Sequence, residues 1–404
     1  MNTSPVENQE ETSALQSASE HLVELAQSKQ LVLLGDQTGI AEHVRFISQI
    51  LPDLYEAGVH NLAWEFTNSR TQESLDQLLT AESWDEAACT NLFIDLLGIG
   101  FTYFEYAGVL KSAWSLNRGL ESQAPRFRVV GLGLPTYVED PSLLEGRSAA
   151  ELELRNWWMG GNYRDVAAFH MANTLTNEVL RSGGRAVVLM SGERTTTGLI
   201  QWEDGLPTVT VGNLLHRWMA EGVARVLFHG SVADSQATER VEALIAAAPE
   251  KPDTFGIALD LATLGNVGLN EVVGSVDGKE TSLRLKDVAD SYIWLGNIES
   301  WSPCQLIENV ITEENFEYLE ARYRAIDPRS EPWTQSELEQ IRIDGQTKLS
   351  DSWLKLPIIE EPPAKRNKFR KRRTRANLSL ALIWTGSADC TPKFFEKLLL
   401  KNWG

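Results

Sequence analysis

The chain has 404 residues, 43% apolar and 23% charged, which suits one large α/β domain with additions, or two domains. Its 56 acidic and 37 basic residues give a formal charge of −19, which argues against non-specific attraction of the body of the protein to nucleic acid or anionic membrane. Three scattered cysteines (Cys89, Cys304, Cys390) exclude a disulfide framework and a Cys-x-x-Cys metal site, and no run reaches the roughly 18 apolar residues that cross a bilayer.

Residues 1–12 are polar and acidic and are expected to be disordered. They lack a signal-peptide pattern, so a cytoplasmic location is expected. A helix is predicted over 13–28. The apolar run 31–34 then ends in Gly35-Asp36-Gln37-Thr38-Gly39, a helix pattern covers 40–57, and a second short run, 61–64, delivers Glu65. This βαβ pattern is expected to set Asp36 and Glu65 at the carboxyl ends of neighbouring parallel strands, the edge where open α/β sheets bind ligands.

Further helices are predicted at 70–79, 84–97 and 101–117, and a strand at 127–132. A long helix over 162–182 is stopped by Gly183-Gly184. A strand at 186–190 leads into the polar loop 191–198, and 199–212 has the look of a hairpin. Strands follow at 224–228, 255–259 and 292–295, with helices between them. The alternation predicts an α/β fold: a central, mainly parallel β-sheet flanked by helices on both faces, with a helical C-terminal extension.

The main domain is expected to span 13–300 and the extension 301–358, with surface-lying helices near 312–323 and 335–343. A Pro/basic linker (359–377) and a C-terminal segment (378–404) follow. Within the linker, eight of the eleven residues 365–375 are Lys or Arg. Such a block is a solvated linker, a clamp on the acidic body, or a docking site for RNA, DNA or an acidic partner.

Three constellations could carry chemistry. The first is Asp36 and Glu65 with Thr38 and His43: carboxylate and imidazole suit proton transfer or a divalent metal held by Asp36 and Glu65. The bland alternative has Asp36 capping the next helix and His43 on that helix's surface. The second is Arg164-Asp165 with His170, where an arginine near a helix start could hold an anionic substrate. The third is Glu193 and Arg194 in the loop after a strand, where binding loops belong. His229 also follows an apolar run. Neither a phosphate loop nor a Gly-x-Ser-x-Gly elbow is present.

In this order, the motifs resemble the haem-uptake/Tiki superfamily, which includes ChaN-like haem-binding proteins, erythromycin-esterase-like hydrolases and Tiki/TraB proteins. The similarity covers about residues 30–300: the first strand with Asp36 and Thr38, Leu62–Glu65, Trp114–Pro135, and Arg164-Asp165 through Gly198. This sequence departs from the pattern in four places. Asp36 stands for a Glu, Thr38 or Gly39 for the first-motif histidine, Arg194 for a later histidine, and Gly133 for an Asp. The resemblance therefore implies a pocket at the carboxyl ends of the strands and leaves its use open. One reading is a hydrolase of a small-molecule ester or amide, with Asp36, Glu65 and His43 catalytic and Thr38, Arg164, Glu193, Arg194 and His229 binding substrate. The other is a non-catalytic protein that holds a haem-like or anionic small molecule. Docking through the basic run is a third possibility.

Overall fold

Residues 31–34 are apolar without alternation because the sheet they enter is covered on both faces. The computed structural model describes residues 16–94, 101–134, 163–197, 209–231, 235–247, 253–260, 263–276, 279–326 and 331–354. Its strands are β1 (Leu31–Asp36), β2 (Asn61–Asn68), β3 (Arg128–Gly133), β4 (Ala186–Ser191), β5 (Val223–Phe228), β6 (Phe255–Ala258), β7 (Gly268–Val276), β8 (Lys279–Arg284) and β9 (Ser291–Trp294). Seven of them form one sheet in the order β3-β2-β4-β1-β5-β9-β6, parallel except for the pairing of β6 with β9. β7 and β8 make a separate antiparallel hairpin.

Successive residues of a strand point to opposite faces. Val32 and Leu34 of β1, Leu62 and Trp64 of β2, and Val187 and Leu189 of β4 enter one buried layer. The helices Ala18–Ser28, Ala41–Glu56, Gln72–Thr80, Glu86–Ile94 and Phe104–Gly119 contribute to it. Leu31, Leu33, Ala63 and Val188 enter the opposite layer, against the helices Tyr163–Glu178 and Val211–Met219. The α/β architecture expected from the sequence is the one observed, with most boundaries within a few residues.

Three expectations are corrected. Asp36 and Glu65 do not end neighbouring strands: β4 is inserted between β1 and β2, pairing with both through Ala186, and β2 runs past Glu65 to Asn68. Of the supposed hairpin 199–212, residues 199–208 lie outside the described ones, and Val211 begins the helix Val211–Met219. β-branched Thr208-Val209-Thr210-Val211 read as strand, yet the Thr210 hydroxyl accepts the Asn213 N–H and caps that helix. The stretch before β9, expected to be helical, instead contains β7, β8 and a single turn, Leu285–Val288. Asp277-Gly278, the dipeptide of two-residue hairpin loops, was the signal for it.

In the extension, the helices Glu313–Ile326 and Gln335–Leu354 bury Leu319, Tyr323 and Leu338 with Ile94, Val310 and Ile311. They are thus half-embedded rather than merely surface-lying. Residues 355–404, including the basic run, and residues 1–15 lie outside the described ones. No described helix is long and apolar enough to cross a membrane.

Candidate functional site

Asp36 is the last residue of β1, and strand alternation turns it to the face of Val32 and Leu34, beneath the helix Phe104–Gly119. It is 1% exposed, and neither carboxyl oxygen has a hydrogen-bond partner. Burial, with the nearby charge of Glu65 adding to it, pushes its pKa well above the usual carboxylate value. A buried carboxyl without partners resolves this cost by staying protonated. Tyr106 and Cys304 lie close enough that Asp36 helps raise both of their pKa values. The capping alternative fails. The helix Ala41–Glu56 starts after Ile40 with no side-chain cap bond.

Glu65 takes the opposite face, that of Ala63. Its Oε1 accepts the Ser191 N–H at 2.6 Å, and Arg194 Nε stands 2.8 Å from Oε2. Both side chains are largely buried. Burial raises the Glu65 pKa, while the Arg194 guanidinium and the Ser191 N–H oppose that shift. Arg194 arrives on the helical turn Gly192–Thr195, which packs directly on β1 because residue 35 is glycine. A Cβ there would come within 2.8 Å of Gly192 Cα and Thr195 Oγ1. With one strand between them, the backbones of β1 and β2 are roughly 10 Å apart. Asp36 and Glu65 are near enough to repel, yet they belong to different faces.

His43 and His229 form a second group at the ends of β1 and β5. His43 is fully buried, so it is not a surface helix residue. Its Nδ1 accepts the Gln37 N–H at 3.2 Å, its ring stacks on Phe228 at 4.6 Å, and its Nε2 has no partner. Burial, reinforced by His229, pushes its pKa down to about 3, so it is neutral. His229 has Nδ1 2.7 Å from Tyr292 Oη and Nε2 3.4 Å from Glu242 Oε1. Burial lowers its pKa, against the pull of Glu242. The Trp301 ring meets both imidazoles edge-on, at 5.1 Å from His43 and 5.5 Å from His229.

Thr38 and Glu193 are half-buried beside Asp36 and Arg194 in sequence. The Arg164 side chain lies outside the described residues, although its backbone opens the helix Tyr163–Glu178. His170, further along that helix, has Nε2 3.1 Å from Ser69 Oγ, near the ends of β2 and β3. The donor set does not fit a metal shared by Asp36 and Glu65. Both oxygens of Glu65 are engaged, and no three His, Cys, Asp or Glu side chains among the described residues converge on a metal position.

Sequence reasoning missed Tyr106, Glu242, Tyr292 and Trp301. The first three sit mid-helix or mid-strand in apolar or ordinary amphipathic patterns, which carry no functional signal. Trp301 follows a helical turn far from the site in sequence. Ser191 Oγ and Ser231 Oγ are also buried without partners at this edge, a state visible only in three dimensions.

No family profile and no curated protein matches this chain. Among solved structures, a Bacillus cereus protein is similar at a TM-score of 0.53 and 12% identity, covering 76% of this chain and 100% of its own. A succinoglycan biosynthesis protein matches over the same shares at a TM-score of 0.51 and 12% identity. An erythromycin esterase in its open conformation gives 0.47 at 12% identity, over 72% of this chain and 95% of its own. The first two establish a shared fold.

Proposed function

We propose that this chain, an α/β protein with the fold of those structures, holds a small-molecule ligand at the carboxyl edge of β1, β4 and β5 without turning it over. The observation that carries this reading is the state of Glu65. One oxygen accepts the Ser191 N–H and the other is ion-paired to Arg194, whose Nε makes no hydrogen bond, so the carboxylate is committed to groups of the protein on both oxygens. A general base must reach its proton within hydrogen-bond distance, and Asp36 lies across β4 from Glu65 on the other face. An acidic residue paired with arginine in a largely buried place is a structural ion pair first. The unbonded Asp36 carboxyl and the Ser191 and Ser231 hydroxyls supply donors and acceptors for a polar ligand. A reducing, cytoplasmic setting accords with Cys89 and Cys304, which are both free thiols.

One observation favours the hydrolase reading instead. A buried, protonated Asp36 with no partner is a proton donor in waiting, and such groups cluster at catalytic sites. Turnover of a panel of small esters and amides by the full chain, with Asp36→Asn and Glu65→Gln as controls and metal analysis of protein purified without chelator, separates the two. The binding reading expects no turnover above background, with thermal shifts for a subset of the panel. Turnover that vanishes in Asp36→Asn refutes it.

A further inference from the structure

Residues 296–309 cross the mouth of the sheet beside Asp36. Both ends of this strap are in the left-handed region of backbone space: Gly296 at φ 110° and Asn309 at φ 56°. Between them the chain has one short turn, Ile298–Ser300, and two isolated bridges, Pro303 to Ile40 and Leu306 to Tyr103. Its backbone carbonyls at Ser302 and Gln305 accept the Ala41 and Phe104 N–H groups at 3.0 and 2.9 Å, while the Ile307 N–H donates to Thr102 O at 3.0 Å. Four glutamates from four different helices accept its backbone N–H groups. Glu242 takes that of Ile298 at 3.2 Å, Glu42 that of Ser302 at 3.0 Å, Glu105 that of Gln305 at 2.8 Å, and Glu339 that of Asn309 at 2.9 Å. Glu42 also accepts the Ser302 hydroxyl at 2.7 Å, and Arg45 bridges Glu105 and Ser302.

The inner side of the strap is apolar. Trp301 lies on His43, His229 and Gly230, where a Cβ would come 2.7 Å from the indole. Cys304, 4% exposed, donates its N–H to Gly39 O at 2.8 Å, over the loop that follows Asp36. The closed arrangement leaves Trp301 Nε1 and His43 Nε2 buried without partners. Moving the strap away would return both to water, which offsets part of the cost of breaking the glutamate and backbone bonds. Two left-handed backbone positions bounding a segment held by four glutamates and by a few backbone bonds to 39–41 and 102–104 are the parts of a hinged cover.

We propose that residues 296–309 are a carboxylate-latched lid over the β1/β5 half of the edge, swinging about Gly296 and Asn309 to admit ligand to Asp36. The lid's purpose rests on the ligand-binding reading above; its motion does not, and the test reads motion alone. Cys304 is a native reporter on the lid, and Cys89, 0% exposed in the core, is the internal reference. Thiol modification of the full chain, resolved by peptide, is expected to label Cys304 faster than Cys89. Glu42→Ala is expected to raise the Cys304 rate about tenfold, the factor for losing a hydrogen bond to a charged group, with Cys89 unchanged. Glu242→Gln, which weakens the latch at its other end, is expected to act in the same direction. Labelling of Cys304 only in step with Cys89, in the parent and both variants, overturns the lid, since it reports global unfolding. An unchanged Cys304 rate in both variants overturns the latch. A chain that opens yet binds none of the panel removes the ligand reading and leaves the lid standing.

Discussion

Asp36 keeps its proton in the folded chain over a pH range in which the unfolded chain loses it, because burial raises its pKa. The folded state then binds more protons, so this residue's contribution to stability falls as pH rises above the ordinary aspartate value. Asp36→Asn is therefore expected to be more stable than the parent at pH 8, with the difference vanishing near pH 4; denaturant midpoints at the two pH values check it. Glu65→Gln removes an ion pair. It leaves the Arg194 charge largely buried without its partner and is expected to cost about 3 kcal/mol at pH 7, read from the same midpoints. His43 has a depressed pKa of about 3, so the stability that its neutral form contributes is present above the unfolded value near 6.5 and lost as pH falls toward 3. His43→Phe should flatten acid unfolding in that window. Asp36 and Glu65 were legible in the sequence as acids that follow short apolar runs, but their different surroundings were not, because burial and the Arg194 contact depend on residues far away in the chain.

At the level of elements, the site depends on how the turn Gly192–Thr195 seats on β1. Gly35 permits that contact, and an added methyl would meet backbone at Gly192 as well as the Thr195 side chain. Gly35→Ala is expected to destabilise by roughly 1–3 kcal/mol, the usual cost of overpacking, and to lengthen the Arg194–Glu65 pair; a stability curve and a structure of the variant would show both. Local pattern identified the seven strands of the main sheet because each is short, apolar and followed by glycine or a polar turn. It did not order them. The insertion of β4 between β1 and β2 brings residues near 186–194 beside residues 61–65, a pairing no local window contains. The helix Val211–Met219 was misread for a related reason: a β-branched cap residue has the same local appearance as a strand residue until its hydroxyl is seen to accept the Asn213 N–H.

For the molecule as a whole, −19 of net charge sits with a concentrated basic run at 365–375. If that run docks polyanions, the full chain will be retained on a heparin column with a steep salt dependence, and deletion of 365–375 will abolish retention. Retention that survives the deletion would end that proposal. The sequence alone determined what depends on composition and period: an α/β class, the succession of the parallel strands and most of the helices, and an edge carrying Asp36, Glu65, Arg194 and His229. Tertiary structure decided which of these residues meet. It paired Glu65 with Arg194, set Asp36 on the other face without a partner, enclosed His43 and His229 around Trp301, and laid residues 296–309 across the mouth. The reason is physical. Secondary structure follows from neighbours a few residues apart, whereas protonation, ion pairing and access are set by desolvation and by contacts that only the packed chain creates.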